Sequence, residues 1–119
     1  MTATGDAKSR LLAAARAQFA RDGYDAATVR TICRRARVNL SAVPYYFGTK
    51  QVLYAAVLNE LLGPIAARVQ FAAQAPRPPL DRIETVVREF FDHIRKNPDM
   101  PSIMIREMAS GREIAGPVR

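Results

Sequence analysis

The sequence has little of what catalytic and metal chemistry needs. One cysteine, Cys33, and one histidine, His93, occur in 119 residues. A lone cysteine excludes an internal disulfide framework. One Cys and one His cannot supply the four ligands of a Cys-based zinc finger. The carboxylates are scattered over helix faces, His93 has no evident nucleophile beside it, and no Gly-rich phosphate loop follows a strand. No catalytic residue, cofactor or metal site is expected, and the chain is not read as an enzyme. No apolar run approaches the ~18 residues of a membrane span. The opening Met1-Thr2-Ala3-Thr4-Gly5-Asp6 lacks the basic-then-apolar order of a secretory signal. These absences predict a soluble, cytoplasmic protein with no membrane partner. Acids are also scarce: 11 Asp and Glu face 18 Lys and Arg, for a formal charge of +7.

That charge is uneven. Residues 1–63 hold nine basic groups and four acids, +5, whereas residues 64–119 hold nine and seven, +2. The first half therefore carries most of the attraction for a polyanion. Arg30, Arg34, Arg35 and Arg37 form a compact cluster with no acid inside it. Arg30 and Arg34 share a helix face, while Arg35 and Arg37 read as solvated.

Apolar residues recur at helical rather than strand spacing, which predicts an all-α chain. Leu11, Leu12, Ala15 and Phe19 mark a helix over 7–22, stopped by Gly23. Thr28 is a candidate N-cap for a helix over 28–36, whose core side is Val29, Ile32, Cys33 and Ala36. Cys33 reads as a small core residue. Asn39 is a candidate cap for a short helix over 40–46. Thr49 opens a long helix that Gly63-Pro64 should kink, because proline lacks the N–H and clashes with the carbonyl four residues back. Ala75-Pro76-Arg77-Pro78-Pro79 reads as a linker. Helices over 80–96, with a wide apolar face, and over about 101–109 complete the pattern. Phe47 reads as core beside Leu53. His93 reads as a surface or partly buried residue, and Arg106-Glu107 as a surface pair.

Two short helices joined by a few residues make a helix-turn-helix. Arg10-Leu11-Leu12, Phe19, Gly23-Tyr24, Thr28-Val29-Arg30, Ile32, Ala36-Arg37-Val38-Asn39 and Tyr45-Tyr46-Phe47-Gly48-Thr49-Lys50 follow in order. Over about residues 7–62 this resembles the DNA-binding domain of the TetR family of transcriptional regulators. The resemblance implies a three-helix helix-turn-helix domain, 1–49, followed by a connecting helix and partial regulatory domain, 50–119. It implies that 40–46 is the recognition helix, with Asn39, Leu40, Ser41 and Ala42 near base edges. Tyr45 and Tyr46 would contact DNA and its backbone; Thr28, Arg30 and Lys50 would reach phosphate. Lys8 and Arg10 are further candidates for the flanking backbone. A lysine at a helix N-terminus opposes the dipole, so a phosphate partner explains Lys50 better than water does.

The resemblance also implies double-stranded operator DNA as partner, a homodimer for the complete protein, and release from DNA by a small-molecule effector. Phe90, Phe91, Ile94, Met104 and Met108 are the candidate effector-pocket residues, against the alternative that they are simply core. Asn39–Phe47 and Arg106-Glu107-Met108 are similar to the branch with a CerR-type C-terminal domain. Family members continue through further helices that make the dimer. The chain's close at Gly116-Pro117-Val118-Arg119 thus reads as a truncation, expected to be monomer- or aggregation-prone.

Two departures from the family pattern stand out. Arg37 occupies a turn position where glycine is frequent, and Pro44 replaces a frequent tyrosine, so the recognition helix should be bent or begin later than Leu40. The alternative class is a helical protein-interaction or ligand-binding module without a DNA role. Such a module has no reason to place two tyrosines and a lysine at this spacing after a helix-turn-helix.

Overall fold

In the computed structural model, residues 3–111 are described, with side-chain surroundings from Ala7 onward. Met1-Thr2 and Gly116-Pro117-Val118-Arg119, weighed above, lie outside them. Six helices follow in order: α1 Ala3–Ala26, α2 Val29–Ala36, α3 Ala42–Tyr46, α4 Lys50–Ala73, α5 Pro79–Lys96 and α6 Met100–Ser110. There is no strand among the described residues. The chain has the all-α, helix-turn-helix fold that the periodicity and the resemblance predict.

Local chemistry sets the boundaries. Gly23 breaks the helical path of α1 with φ 84° and ψ 170°. A short turn continues to Ala26, which is why α1 outlasts the expected end at residue 22. Thr28 caps α2, its Oγ1 accepting from the Thr31 amide at 3.1 Å, and Thr49 caps α4 in the same way through the Val52 amide at 3.1 Å. Each cap satisfies one of the amides that a helix start leaves unpaired.

α3 corrects the expected 40–46. Asn39–Ser41 form a turn closed by the Ala42 amide on the Asn39 carbonyl at 2.9 Å, and the helix begins at Ala42 with Ser41, not Asn39, at the cap position. Pro44 explains the late start. At the third helical position its missing N–H falls among amides that have no intrahelical acceptor. α4 runs through Gly63-Pro64 without ending, so the proline interrupts one hydrogen bond and not the helix. Pro79 opens α5 at its first position, where proline's fixed φ suits a helix start.

The core lies where α1, α2 and α4 meet. Leu11, Phe19, Ile32, Leu53, Val57 and Leu61 are fully buried there, and Ile103 of α6 joins them. Each such side chain contributes about 1.5–3 kcal/mol on burial. Phe47 packs partly buried against this cluster. Cys33 is buried within it, and burial pushes its thiol above its ordinary value, which suppresses thiolate chemistry. α4 is long and apolar enough, by length and composition, to cross a membrane. The expectation from contiguous apolar runs missed this because Asn59, Glu60 and Arg68 interrupt the run without lowering the average enough. Here α4 is the central helix, packed against α1 on one side and α5 on the other.

α6 returns to α1 and ties the two halves together. Arg16 donates to Asp99 through Nε at 2.7 Å and Nη2 at 2.9 Å, and to Asn97 Oδ1 at 2.6 Å. Ser102 Oγ donates to the Ala20 carbonyl at 2.6 Å, and Arg106 Nη2 to the Arg21 carbonyl at 2.9 Å. Glu107 is 1% exposed and accepts from the Tyr54 hydroxyl at 2.5 Å. The expected surface pair Arg106-Glu107 is thus divided: Arg106 stays exposed against α1, while Glu107 is buried against Tyr54. His93, expected at the surface or partly buried, is 4% exposed. Its Nε2 lies 2.7 Å from the Leu61 carbonyl and its Nδ1 3.3 Å from Asn97 Nδ2. An Nε2–H tautomer, with Asn97 donating to Nδ1, satisfies both contacts, and it ties α5 to α4.

Candidate nucleic-acid interface

The turn between α2 and α3 is fixed from three sides. The Arg37 amide bonds the Arg34 carbonyl at 3.2 Å and the Val38 amide the Cys33 carbonyl at 3.0 Å, the paired bonds of a Schellman ending. Arg37 itself sits at φ 62°, ψ 46°, the left-handed region, and is the one non-glycine residue with positive φ among those described. That conformation costs an L-residue about 1–2 kcal/mol relative to glycine. From α1, Arg10 Nε donates to the Ala36 carbonyl at 3.0 Å, and Nη2 reaches the Arg37 carbonyl at 3.5 Å. A guanidinium at a helix C-terminus satisfies orphan carbonyls and favours the dipole. Arg10 therefore braces the turn from below.

The α2–α3 turn presents a polar, basic surface. A groove of about 600 Å³ is bordered by Arg10, Arg37, Asn39, Ser41, Tyr45 and Tyr46, among others. Asn39, Leu40 and Ser41 are exposed, and Tyr45 is 77% exposed. Tyr45 packs edge-on against Tyr46, ring centroids 4.8 Å apart, which fixes the phenol direction without burying it. Thr28, the cap of α2, and Arg30 and Arg34 on it are exposed.

Other expected site residues have different surroundings. Ala42, at the first position of α3, belongs to the core cluster with Val43. It nonetheless borders the groove that Asn39, Ser41 and Tyr45 line. Lys50 Nζ stands 4.2 Å from the centroid of the Tyr24 ring, a cation–π contact, so water is not its sole partner. Lys8 Nζ lies 5.8 Å from the Phe47 ring. Arg35 donates to Gln18 Oε1 at 3.1 Å, with Gln18 in turn bonded to Asp22, which joins α2 to α1.

The second candidate site lies between α4 and α5. A groove of about 580 Å³ has a lining that is almost wholly apolar, including Leu62, Ile65, Val86, Phe90, Phe91 and Met104. Of the five expected pocket residues, Phe90, Phe91 and Met104 meet there. Ile94 instead packs against the central core, and Met108 is exposed on α6 away from the groove. No group of three or more His, Cys, Asp or Glu is placed to hold a metal among the described residues.

Sequence reasoning missed Arg10, Arg16 and Glu107 as organising residues. Arg10 reads only as a candidate for the flanking DNA backbone and Arg16 is assigned no role, because their acceptors, a helix end and Asp99, are more than 25 residues away in sequence. No local pattern announces such pairs.

A basic, three-helix helix-turn-helix braced by a long fourth helix defines a DNA-binding regulator fold. Residues 11–57 match the family model for bacterial regulatory proteins of the tetR family. The HTH-type transcriptional dual regulator CecR of Shigella flexneri is 49% identical over 57 residues, 47% of this chain and 25% of that protein. The HTH-type transcriptional repressor SCO4008 of Streptomyces coelicolor is 30% identical over 100 residues, 84% of this chain and 48% of that protein. A crystal structure of a HlyIIR mutant superposes with a TM-score of 0.74 at 23% identity, covering 95% of this chain and 63% of that one. The chain belongs to the TetR family of transcriptional regulators. The matched residues cover about half of the Streptomyces repressor and a quarter of the Shigella regulator.

Proposed function

We propose that the chain is the DNA-binding and connecting part of a sequence-specific transcriptional regulator, a repressor that leaves its operator when a small molecule binds. Residues 1–49 are the DNA-binding domain and 50–119 the beginning of the regulatory domain. The observation that carries this reading is the groove bordered by Asn39, Ser41, Tyr45 and Arg37, on a turn braced by Arg10, with Thr28, Arg30 and Leu40 exposed nearby in sequence. Asn39, Ser41 and Tyr45 supply hydrogen-bonding groups for base edges and phosphates, and Leu40 an apolar contact. Tyr46 and Lys50 serve the adjacent backbone. The complete protein acts as a homodimer in the cytoplasm, its two recognition helices one DNA turn, ~34 Å, apart.

The apolar groove of Phe90, Phe91 and Met104 is the part of the effector site that this chain contributes. Its lining selects an uncharged, hydrophobic small molecule, since a buried charge there would lack a partner. The test is fluorescence anisotropy against the DNA upstream of the chain's own gene, beside a scrambled duplex, at near-physiological salt. Preference for the upstream DNA supports a self-regulating repressor. Binding to neither duplex would return the chain to the class of helical interaction or ligand-binding modules.

A further inference from the structure

We propose that Arg37 is a phosphate contact of the DNA-binding face, held in a left-handed backbone conformation at the expense of fold stability. The inference rests on the DNA-binding reading above and adds to it a residue that reads from sequence as merely solvated. Three observations carry it.

The first is the conformation. Arg37 adopts φ 62°, ψ 46° at the end of α2, a position where glycine or asparagine is the unstrained choice. Strained non-glycine residues that persist cluster at binding sites. The second is that the common reason for a cation at a helix C-terminus is already met there. The Arg10 guanidinium binds the Ala36 and Arg37 carbonyls, and Arg34 and Arg35 occupy the last turn of α2. The helix dipole therefore does not require Arg37. The third is position and availability. Arg37 is exposed and borders the same groove as Asn39, Ser41 and Tyr45. Among the described residues its guanidinium takes part in no hydrogen bond or ion pair. A permanently charged planar fork on the rim of such a groove suits a phosphodiester.

The experiment pairs thermal unfolding with salt-dependent anisotropy on a mixed-sequence DNA duplex, for the parent chain, Arg37→Gly and Arg37→Lys. Arg37→Gly relieves the backbone strain and removes the charge. It is expected to raise the unfolding midpoint while lowering affinity roughly five- to tenfold at about 0.1 M salt, with the slope of log K against log salt reduced by about 0.9, the signature of one lost phosphate. Arg37→Lys keeps the charge and is expected to keep the slope. An Arg37→Gly chain that is more stable yet binds with the parent's affinity and slope would overturn the proposal, as would an Arg37→Lys chain whose slope falls with that of the glycine variant. Failure of the parent chain to bind the duplex is a separate outcome: it would overturn the DNA-binding reading and the proposal with it.

Discussion

Arg16 in the middle of α1 grips Asp99 at the start of α6 through two parallel hydrogen bonds, Nε to Oδ2 at 2.7 Å and Nη2 to Oδ1 at 2.9 Å. The pair joins α1, the helix that braces the α2–α3 turn, to α6. Asn97 extends it, accepting from Arg16 through Oδ1 while its Nδ2 approaches His93. A continuous polar path thus runs from α1 to the buried histidine on α5 and on to the Leu61 carbonyl of α4.

This geometry predicts a coupled stability effect. Hydrogen bonding to Arg16 holds the Asp99 carboxyl below its ordinary value, and the same bond raises Arg16. Both side chains are about a quarter exposed, so solvent screens the pair in part. Arg16→Ala and Asp99→Asn should each cost about 1–2 kcal/mol, and the double variant less than their sum, in chemical denaturation.

A pH dependence follows from the sign of the Asp99 shift. A depressed carboxyl stabilises the fold fully above its unfolded value, about 3.9. That stability disappears as pH falls toward the lower folded value. The stability gap between parent and Asp99→Asn should be constant near neutrality and should close as pH drops below about 4, read as denaturation midpoints across the acid range.

Tyr54→Phe tests the second link between the halves. The Tyr54 ring also packs edge-on against Phe19, centroids 4.9 Å apart, and phenylalanine keeps that contact. Only the hydroxyl that serves the buried Glu107 is lost. Destabilisation of about 1–3 kcal/mol is expected, measured by thermal unfolding. A variant as stable as the parent would show that the contact contributes little.

Gly23→Ala should also destabilise, by about 1–2 kcal/mol. The φ of 84° disfavours any L-residue there, and a Cβ would stand 3.3 Å from Arg106 Nη1. Arg106→Ala in the same background should recover the crowding but not the backbone strain, so rescue is partial in the same unfolding assay.

How much was legible in the sequence depends on the range of the interaction. The six helices, Thr28 and Thr49 as caps, and Cys33 as core follow from local periodicity and capping chemistry, and the structure agrees. The late start of α3 was half-visible: Pro44 signalled a conflict, and only the Asn39–Ala42 turn resolved it. His93 and Glu107 lie deeper than their local pattern suggests because distant partners, the Leu61 carbonyl as acceptor and the Tyr54 hydroxyl as donor, satisfy them inside the fold. The apolar stripe of α5 was read correctly as a stripe. Much of it, including Leu80, Ile83 and Phe91, lies exposed in this chain, and periodicity alone carries no information on what a stripe packs against.

The most direct test of the central claim, that the exposed α2–α3 face reads DNA sequence, is anisotropy with Tyr45→Ala on the preferred upstream duplex and on its scrambled counterpart. Tyr45 is 77% exposed, so unfolding should be unchanged. The account predicts a loss of about 1–3 kcal/mol, roughly five- to 150-fold, on the preferred duplex and a much smaller loss on the scrambled one. Unchanged affinity for both duplexes would contradict it.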